Sequence, residues 1–158
     1  MKKLSIAGLS ALLGASAGAV AVKSIQRPKT IRSADHTQKM TEFYRLLIEW
    51  LRIEQEGKSL VSFFLKNGYK TVAIYGMKEL GERLYDELKD SEIEVKYIID
   101  KNADEIYADV DVVDPEDSLE KVDVIVVTAI HYFDEIEEML EEKVDYPVIS
   151  LEDVIYEI

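Results

Sequence analysis

From residue 70 onward the chain alternates short apolar runs with longer amphipathic ones, and this alternation constrains the fold more than any other feature. Thr71–Tyr75 reads as a short apolar strand that ends at Gly76. Met77–Lys89 follows with Met77, Leu80, Leu84 and Leu88 at helical spacing, so the pattern predicts an amphipathic helix. Glu94–Asp100 predicts a second strand and Val110–Val113 a short third. After that strand Asp114 can cap a helix with Pro115 at its first position. Asp123–Thr128 carries Val-Ile-Val-Val, a continuous apolar run expected of a strand buried on both faces. Tyr132–Lys143 predicts a helix with Phe133, Ile136 and Leu140 inward, Pro147–Ser150 a last strand. Ser150 with Asp153 resembles a capping box opening a terminal helix. Strands alternating with helices imply an α/β fold with right-handed crossovers, here a small doubly wound parallel sheet of about five strands. Ligands of such sheets bind at the carboxyl ends of the strands, near the point where strand order reverses.

A helical hairpin is expected ahead of the sheet, over residues 35–68. Met40, Phe43, Tyr44, Leu47, Trp50 and Leu51 recur three and four residues apart within Asp35–Glu56, and Gly57 ends the run. Ser59 can cap a second, short helix carrying Leu60, Phe63 and Phe64, with Gly68 as its terminator. The aromatic residues of this hairpin are expected to be core. The organisation is therefore residues 1–34, a hairpin over 35–68 and an α/β domain over 69–158.

Charge separates the first of these parts from the rest. Residues 1–34 hold six Lys/Arg and no acid, whereas residues 35–158 hold 13 bases and 32 acids, a net charge of −19. Leu4–Val22 is an uncharged stretch of 19 residues, enough to span a bilayer as a helix. Lys23, Arg27, Lys29 and Arg32 follow it, an excess that predicts a single-pass membrane anchor with the C-terminal domain cytoplasmic. The alternative is export after signal-peptide cleavage, because Lys2-Lys3, the apolar run and Ala19-Val20-Ala21 fit a signal peptide. Ala7, Ala11, Ala15 and Ala19 form a small-residue row beside a Gly14/Gly18 pair, a spacing that lets two membrane helices pair. Gln26–Ser33 reads as a basic linker broken by Pro28. The acidic domain argues against nucleic acid as a partner. The chain has no cysteine, which removes disulfides, thiolate metal sites and a cysteine nucleophile.

The first strand-to-helix turn reads Gly76-Met77-Lys78-Glu79-Leu80-Gly81. In a dinucleotide fingerprint, G-x-G-x-x-G, Gly76 and Gly81 take the first and third glycine positions. Gly76 allows the tight turn and Gly81 lets the helix approach the strand. Lys78 stands where the second glycine brings the backbone to a pyrophosphate. It can crowd that group out, or swing outward and pair with phosphate as a point charge. Asp100 ends the second strand, where a carboxylate can accept hydrogen bonds from ribose hydroxyls. Thr128 and His131 follow the fourth strand in the loop Thr128-Ala129-Ile130-His131-Tyr132, expected at the same crevice. His131 is the best placed side chain for ligand contact or acid–base work. The competing reading leaves the glycines to chain geometry, Asp100 as a solvated strand end and His131 as a surface residue. His36 reads as a solvated residue. No spacing suggests a metal site or a catalytic pair. Tyr85-Asp86-Glu87-Leu88-Lys89 matches Y-x-x-x-K, but it lies on the first helix after the turn, where such a pair could not face a nicotinamide. The acidic run from Asp134 to Glu142 reads as the solvated side of its helix, with a weak divalent-ion or basic-partner surface as the alternative.

Residues 43–158 resemble the small Rossmann-like nucleotide-binding domains encoded among bacterial capsular and cell-surface polysaccharide genes. The resemblance is carried by Phe43-Tyr44, Trp50-Leu51, Gly57-Lys58-Ser59-Leu60, Gly68 through Met77, Glu79-Leu80-Gly81, Ile99-Asp100-Lys101-Asn102-Ala103, Val126-Val127-Thr128 and Phe133-Asp134-Glu135-Ile136. It implies binding of NAD(P) or a nucleotide sugar more than catalysis, through Gly76, Met77, Lys78, Gly81, Asp100, Lys101, Thr128 and His131. The family commonly has glycine where this chain has Lys78. The resemblance implies a membrane-anchored accessory protein of polysaccharide assembly at a bacterial cell membrane, with a homo-oligomer or an assembly protein as partner. The alternative is a ligand-free scaffold serving as an interaction module. An epimerase- or dehydrogenase-like enzyme is the weakest reading, because neither a substrate domain nor a catalytic pair is legible.

Overall fold

The computed structural model describes residues 35–158. The hydrophobic stretch at 4–22, its small-residue row and the basic linker lie outside the described residues. Five strands carry the apolar runs: β1 (Thr71–Tyr75), β2 (Glu94–Ile99), β3 (Asp111–Val113), β4 (Val124–Val127) and β5 (Val148–Ser150). They form one all-parallel sheet in the order β3-β2-β1-β4-β5. The helices are α1 (35–55), α2 (Val61–Asn67), α3 (Glu79–Leu88), α4 (Phe133–Glu141) and α5 (Leu151–Tyr156). Short 3-10 turns occupy Ala103–Glu105 and Ile130–Tyr132.

The chain divides into two compact units, residues 1–44 and 45–158. The described part of the first is the opening of α1, where Gln38 donates to Glu42 and the Thr41 hydroxyl to the Thr37 carbonyl. The last turns of α1, the sheet and α2 to α5 make up the second. There, alternation along the strands sends Ala73, Tyr75, Tyr97, Ile99, Ile125 and Val127 to one face, where they form a core with Ile136 and Leu140 of α4. Val72, Ile74, Ile98, Val124 and Val126 take the other face and are equally buried. Burial on both faces is why these strands are runs of β-branched residues rather than alternating ones.

One carboxylate docks the hairpin. Glu87 of α3 accepts from Trp50 Nε1 of α1 at 2.8 Å, from the Ser59 hydroxyl at 2.8 Å and from the Leu60 amide at 2.6 Å. Ser59 also accepts from the Val61 amide, so it serves the start of α2 as expected. Gly68 closes that helix in the left-handed conformation.

The structure corrects the sequence reading at three places and bears it out at a fourth. Tyr44, expected as core with the other aromatic residues, is exposed, as are Met40, Leu47 and Leu51; the buried face of α1 is Leu46, Trp50 and Ile53. Met77 and Lys78 precede α3 instead of opening it, because the Met77 amide is taken by Asp100. Asp114–Asp117 is a turn and not a helix: the Asp114 carboxylate accepts from the Glu116 amide, and the Asp117 amide returns to the Asp114 carbonyl. Its side chain thus offers the backbone an alternative to helix. Ser150 does cap α5, through the amide of Glu152.

Candidate functional site

Strand order reverses between β1 and β4, and the carboxyl ends of these two strands meet in a set of close contacts. Gly76 leaves β1 with φ of +92°, a conformation that side chains disfavour. Its amide donates to the Ile99 carbonyl at 2.8 Å, which extends the β1–β2 ladder by one bond into the turn. A Cβ at Gly76 would lie 2.9 Å from the Thr128 hydroxyl oxygen, and a Cβ at Gly81 would collide with the Gly76 carbonyl oxygen. Both glycines are therefore required sterically, Gly76 for the turn and Gly81 for the seat of α3 on the strand end.

Thr128 is buried, and its hydroxyl lies 3.0 Å from the Tyr75 carbonyl and 2.8 Å from the Gly76 carbonyl. Its amide also donates to the Tyr75 carbonyl, at 2.9 Å. Thr128 thus latches the end of β4 to the β1 turn. Asp100 latches the other side. The carboxylate is 8% exposed, with Oδ2 accepting from the Met77 amide at 2.9 Å and Oδ1 from the Asn102 amide at 2.9 Å. Far from being a solvated strand end, it ties the end of β2 to the β1–α3 turn.

Lys78 sits at the mouth of this turn as the residue preceding α3, in extended conformation, exposed, with no side chain capping the helix. The first amides of a helix have no acceptor within it, so those of α3 open onto the turn that Lys78 ends. Glu79 and Glu82 in the first turn oppose an anion there. Lys101 is exposed directly after Asp100, and His131 is half-buried on the 3-10 turn after β4. The structure therefore brings Gly76, Met77, Gly81, Asp100 and Thr128 into direct contact. Lys78, Lys101 and His131 stand on the surrounding loops.

Sequence reasoning passed over Tyr75 and Asn102. Tyr75 looks like one more apolar strand residue, yet its hydroxyl is the buried side-chain polar atom without a hydrogen-bond partner among the described residues. Burial, then the nearby charges of Asp100, Asp114 and Glu116, push its ionisation upward, so it is held as a neutral phenol. Asn102 stood in the sequence as a loop residue next to Asp100; its proximity was the only signal. Among the described residues no group of His, Asp and Glu has the arrangement of a metal site. None of their helices is long and apolar enough to cross a membrane.

Residues 68–149, the span from the approach to β1 through β5, match a family model described as C2185-like, N-terminal. No curated protein and no solved structure matches the chain.

Proposed function

The chain belongs to the C2185-like, N-terminal family, and on that premise we propose that its α/β domain binds a phosphate-bearing ligand, a nucleotide or nucleotide sugar, at the β1–β4 switch point. The observation that carries this reading is the uncapped start of α3 beside the exposed Lys78, at the one edge of the sheet where strand order reverses. Phosphate would lie against the α3 amides and Lys78, with Gly76 and Gly81 keeping the backbone low beneath it. Ribose hydroxyls would approach Asp100 and Lys101, and Thr128 and His131 would border the remainder. NAD(P) and nucleotide sugars both present these groups. The role that fits is binding without catalysis, in an accessory protein of bacterial cell-surface polysaccharide assembly. Residues 4–22 would hold it in the cell membrane with the acidic domain on the cytoplasmic side.

A second reading has its own observation. Both Asp100 oxygens already accept backbone hydrogen bonds, and the Thr128 hydroxyl is spent on the carbonyls of the turn. A site whose polar groups satisfy one another suits a scaffold that has lost its ligand and acts as an interaction module.

Thermal shift of the full chain against NAD(H), NADP(H), UDP-sugars and simple nucleotides separates the two. A ligand that binds only the folded state raises the melting temperature. The binding reading expects saturable stabilisation by one of these classes and at least about a tenfold loss of affinity in Lys78→Gly, since each lost charge-assisted contact is worth about 1.5–3 kcal/mol. No shift at millimolar ligand leaves the scaffold reading.

A further inference from the structure

The core treats its tyrosines unequally. Tyr97 and Tyr146 pack in the cluster beneath α4, and both hydroxyls reach the Glu120 carbonyl, at 2.6 Å and 3.0 Å. Tyr75 packs in the same cluster and is 4% exposed, yet its buried hydroxyl has no partner among the described residues. A buried hydroxyl left unpaired costs stability that phenylalanine, with the same ring, would not. Folded proteins pair nearly all such groups, so one that stays unpaired points to a use outside packing.

Register places the ring. Tyr75, Ile99 and Val113 are the last residues of β1, β2 and β3, paired side by side, and all three pack on the same face of the sheet. On β2 and β3 the next residue is an aspartate, Asp100 and Asp114, and Glu116 lies two residues further on. These three carboxylates are the charges that act on the phenol. The last row of the sheet and the charges thus agree in setting Tyr75 at the carboxyl ends of the strands, where ligands of such sheets bind.

On the reading that the domain binds a nucleotide, we propose that Tyr75 is a ligand-binding residue whose hydroxyl donates to a ribose hydroxyl. The surroundings select this group over others. A phosphate would meet three carboxylates. An ammonium group would suit them but leave the phenol hydrogen without an acceptor. A metal ion lacks its ligand set, because no group of carboxylates among the described residues has that arrangement. A sugar hydroxyl accepts from the phenol and donates to a carboxylate at once. Asp114 accepts from the Glu116 amide and has further acceptor sites for it. The phenol oxygen is closed to solvent, so the sugar meets it as the Asp114–Asp117 turn gives way; residues 116 and 117 of that turn are exposed. Phosphate at Lys78 and ribose at Tyr75 then divide the ligand between a basic and an acidic side of one edge.

Tyr75→Phe in the full chain, kept in mild detergent, tests this in two ways. Without ligand its melting temperature is expected to hold or rise, since the ring stays and the unpaired hydroxyl goes. A fall of more than about 3 °C would show that the hydroxyl is bonded within the protein, which overturns the inference. With ligand, thermal-shift titrations use ADP and UDP, each beside its 2′-deoxy and 3′-deoxy counterparts. The unsubstituted chain is expected to bind the ribonucleotide at least about tenfold tighter than one deoxy counterpart, the loss of one such bond. Tyr75→Phe is expected to remove most of that preference while still binding. A preference that survives intact in Tyr75→Phe, or none in the unsubstituted chain, overturns the inference and leaves the nucleotide reading standing. No shift from ADP or UDP at millimolar concentration in the unsubstituted chain removes the inference together with its premise.

Discussion

A methyl group at position 81 is the smallest change that probes the turn. Alanine in a helix is intrinsically favoured over glycine by about 1 kcal/mol. At this position the added carbon would meet the Gly76 carbonyl oxygen, which is backbone and cannot rotate away. Forcing α3 off the strand end costs about 1–3 kcal/mol by overpacking, and disturbs the contact of Gly76 with Thr128 as well. The collision outweighs the propensity, so Gly81→Ala is expected to lose about 2 kcal/mol in urea unfolding. A stabilised Gly81→Ala would mean that α3 has room to move and that the two glycines do not hold the turn. Lys78 differs in kind. It is exposed and touches none of the latching groups, so Lys78→Gly tests the ligand while leaving the fold nearly unchanged.

At the scale of elements the junction that matters most is Glu87, where three donors from α1 and the start of α2 converge on one carboxylate of α3. Glu87→Ala removes the acceptor and leaves the Trp50 indole, the Ser59 hydroxyl and the Leu60 amide to find water. Losing hydrogen bonds to a charged group costs about 1.5–3 kcal/mol each at most, and part of it is recovered because this cluster is only half-buried. A net loss of about 2–3 kcal/mol is expected in denaturant unfolding. Trp50 is the single tryptophan of the chain, so its fluorescence would report the undocked hairpin directly. Unchanged stability and emission in Glu87→Ala would show that apolar packing alone seats the hairpin. The strands and the helical spacing of the hairpin were legible in the sequence, because apolar runs bounded by glycine, proline and acids leave little choice of element. Two things were not. Helical spacing marks an apolar row without saying which residues become buried, and Met40, Tyr44, Leu47 and Leu51 are exposed while Leu46, Trp50 and Ile53 are buried. The site was legible as to glycines and loops, since Gly76 and Gly81 stand at fixed offsets from a strand. The partners of Asp100 and the buried hydroxyl of Tyr75 were not, because hydrogen bonds between distant loops leave no periodic trace in a sequence.

Across the whole molecule two electrostatic effects act on stability, and salt separates them. The net charge of −19 on residues 35–158 destabilises the compact state by self-repulsion near neutral pH, and salt screens it. Against this stand carboxylates that the fold holds below their ordinary range. Asp123 accepts from the amides of Lys70 and Thr71, both at 2.8 Å, and these hydrogen bonds lower its pKa. Glu49 is lowered by its bond to Arg52, Glu56 by Lys58 and then Arg52, and Asp86 by Lys89. A group with a depressed folded pKa contributes stability that is fully present above its unfolded value, near 4, and is lost as pH falls through the folded one. Carboxylates with ordinary values near 4 stay ionised down to about pH 5, so the repulsion is nearly constant above that and the short-range pairs govern the slope below about pH 4. The melting temperature of the chain in about 10 mM salt is expected to be nearly flat from pH 8 to about 5, then to fall steeply below about 4. In about 0.5 M NaCl screening reaches only a few ångströms, so the plateau should rise while the acid fall remains, because bonds at hydrogen-bond distance lie inside that range. Calorimetry over pH at both salt concentrations reads the plateau and the acid limb separately. A plateau that salt fails to raise would refute the repulsion. An acid limb abolished by salt would show that the carboxylate bonds at Asp123 and on the helices contribute little.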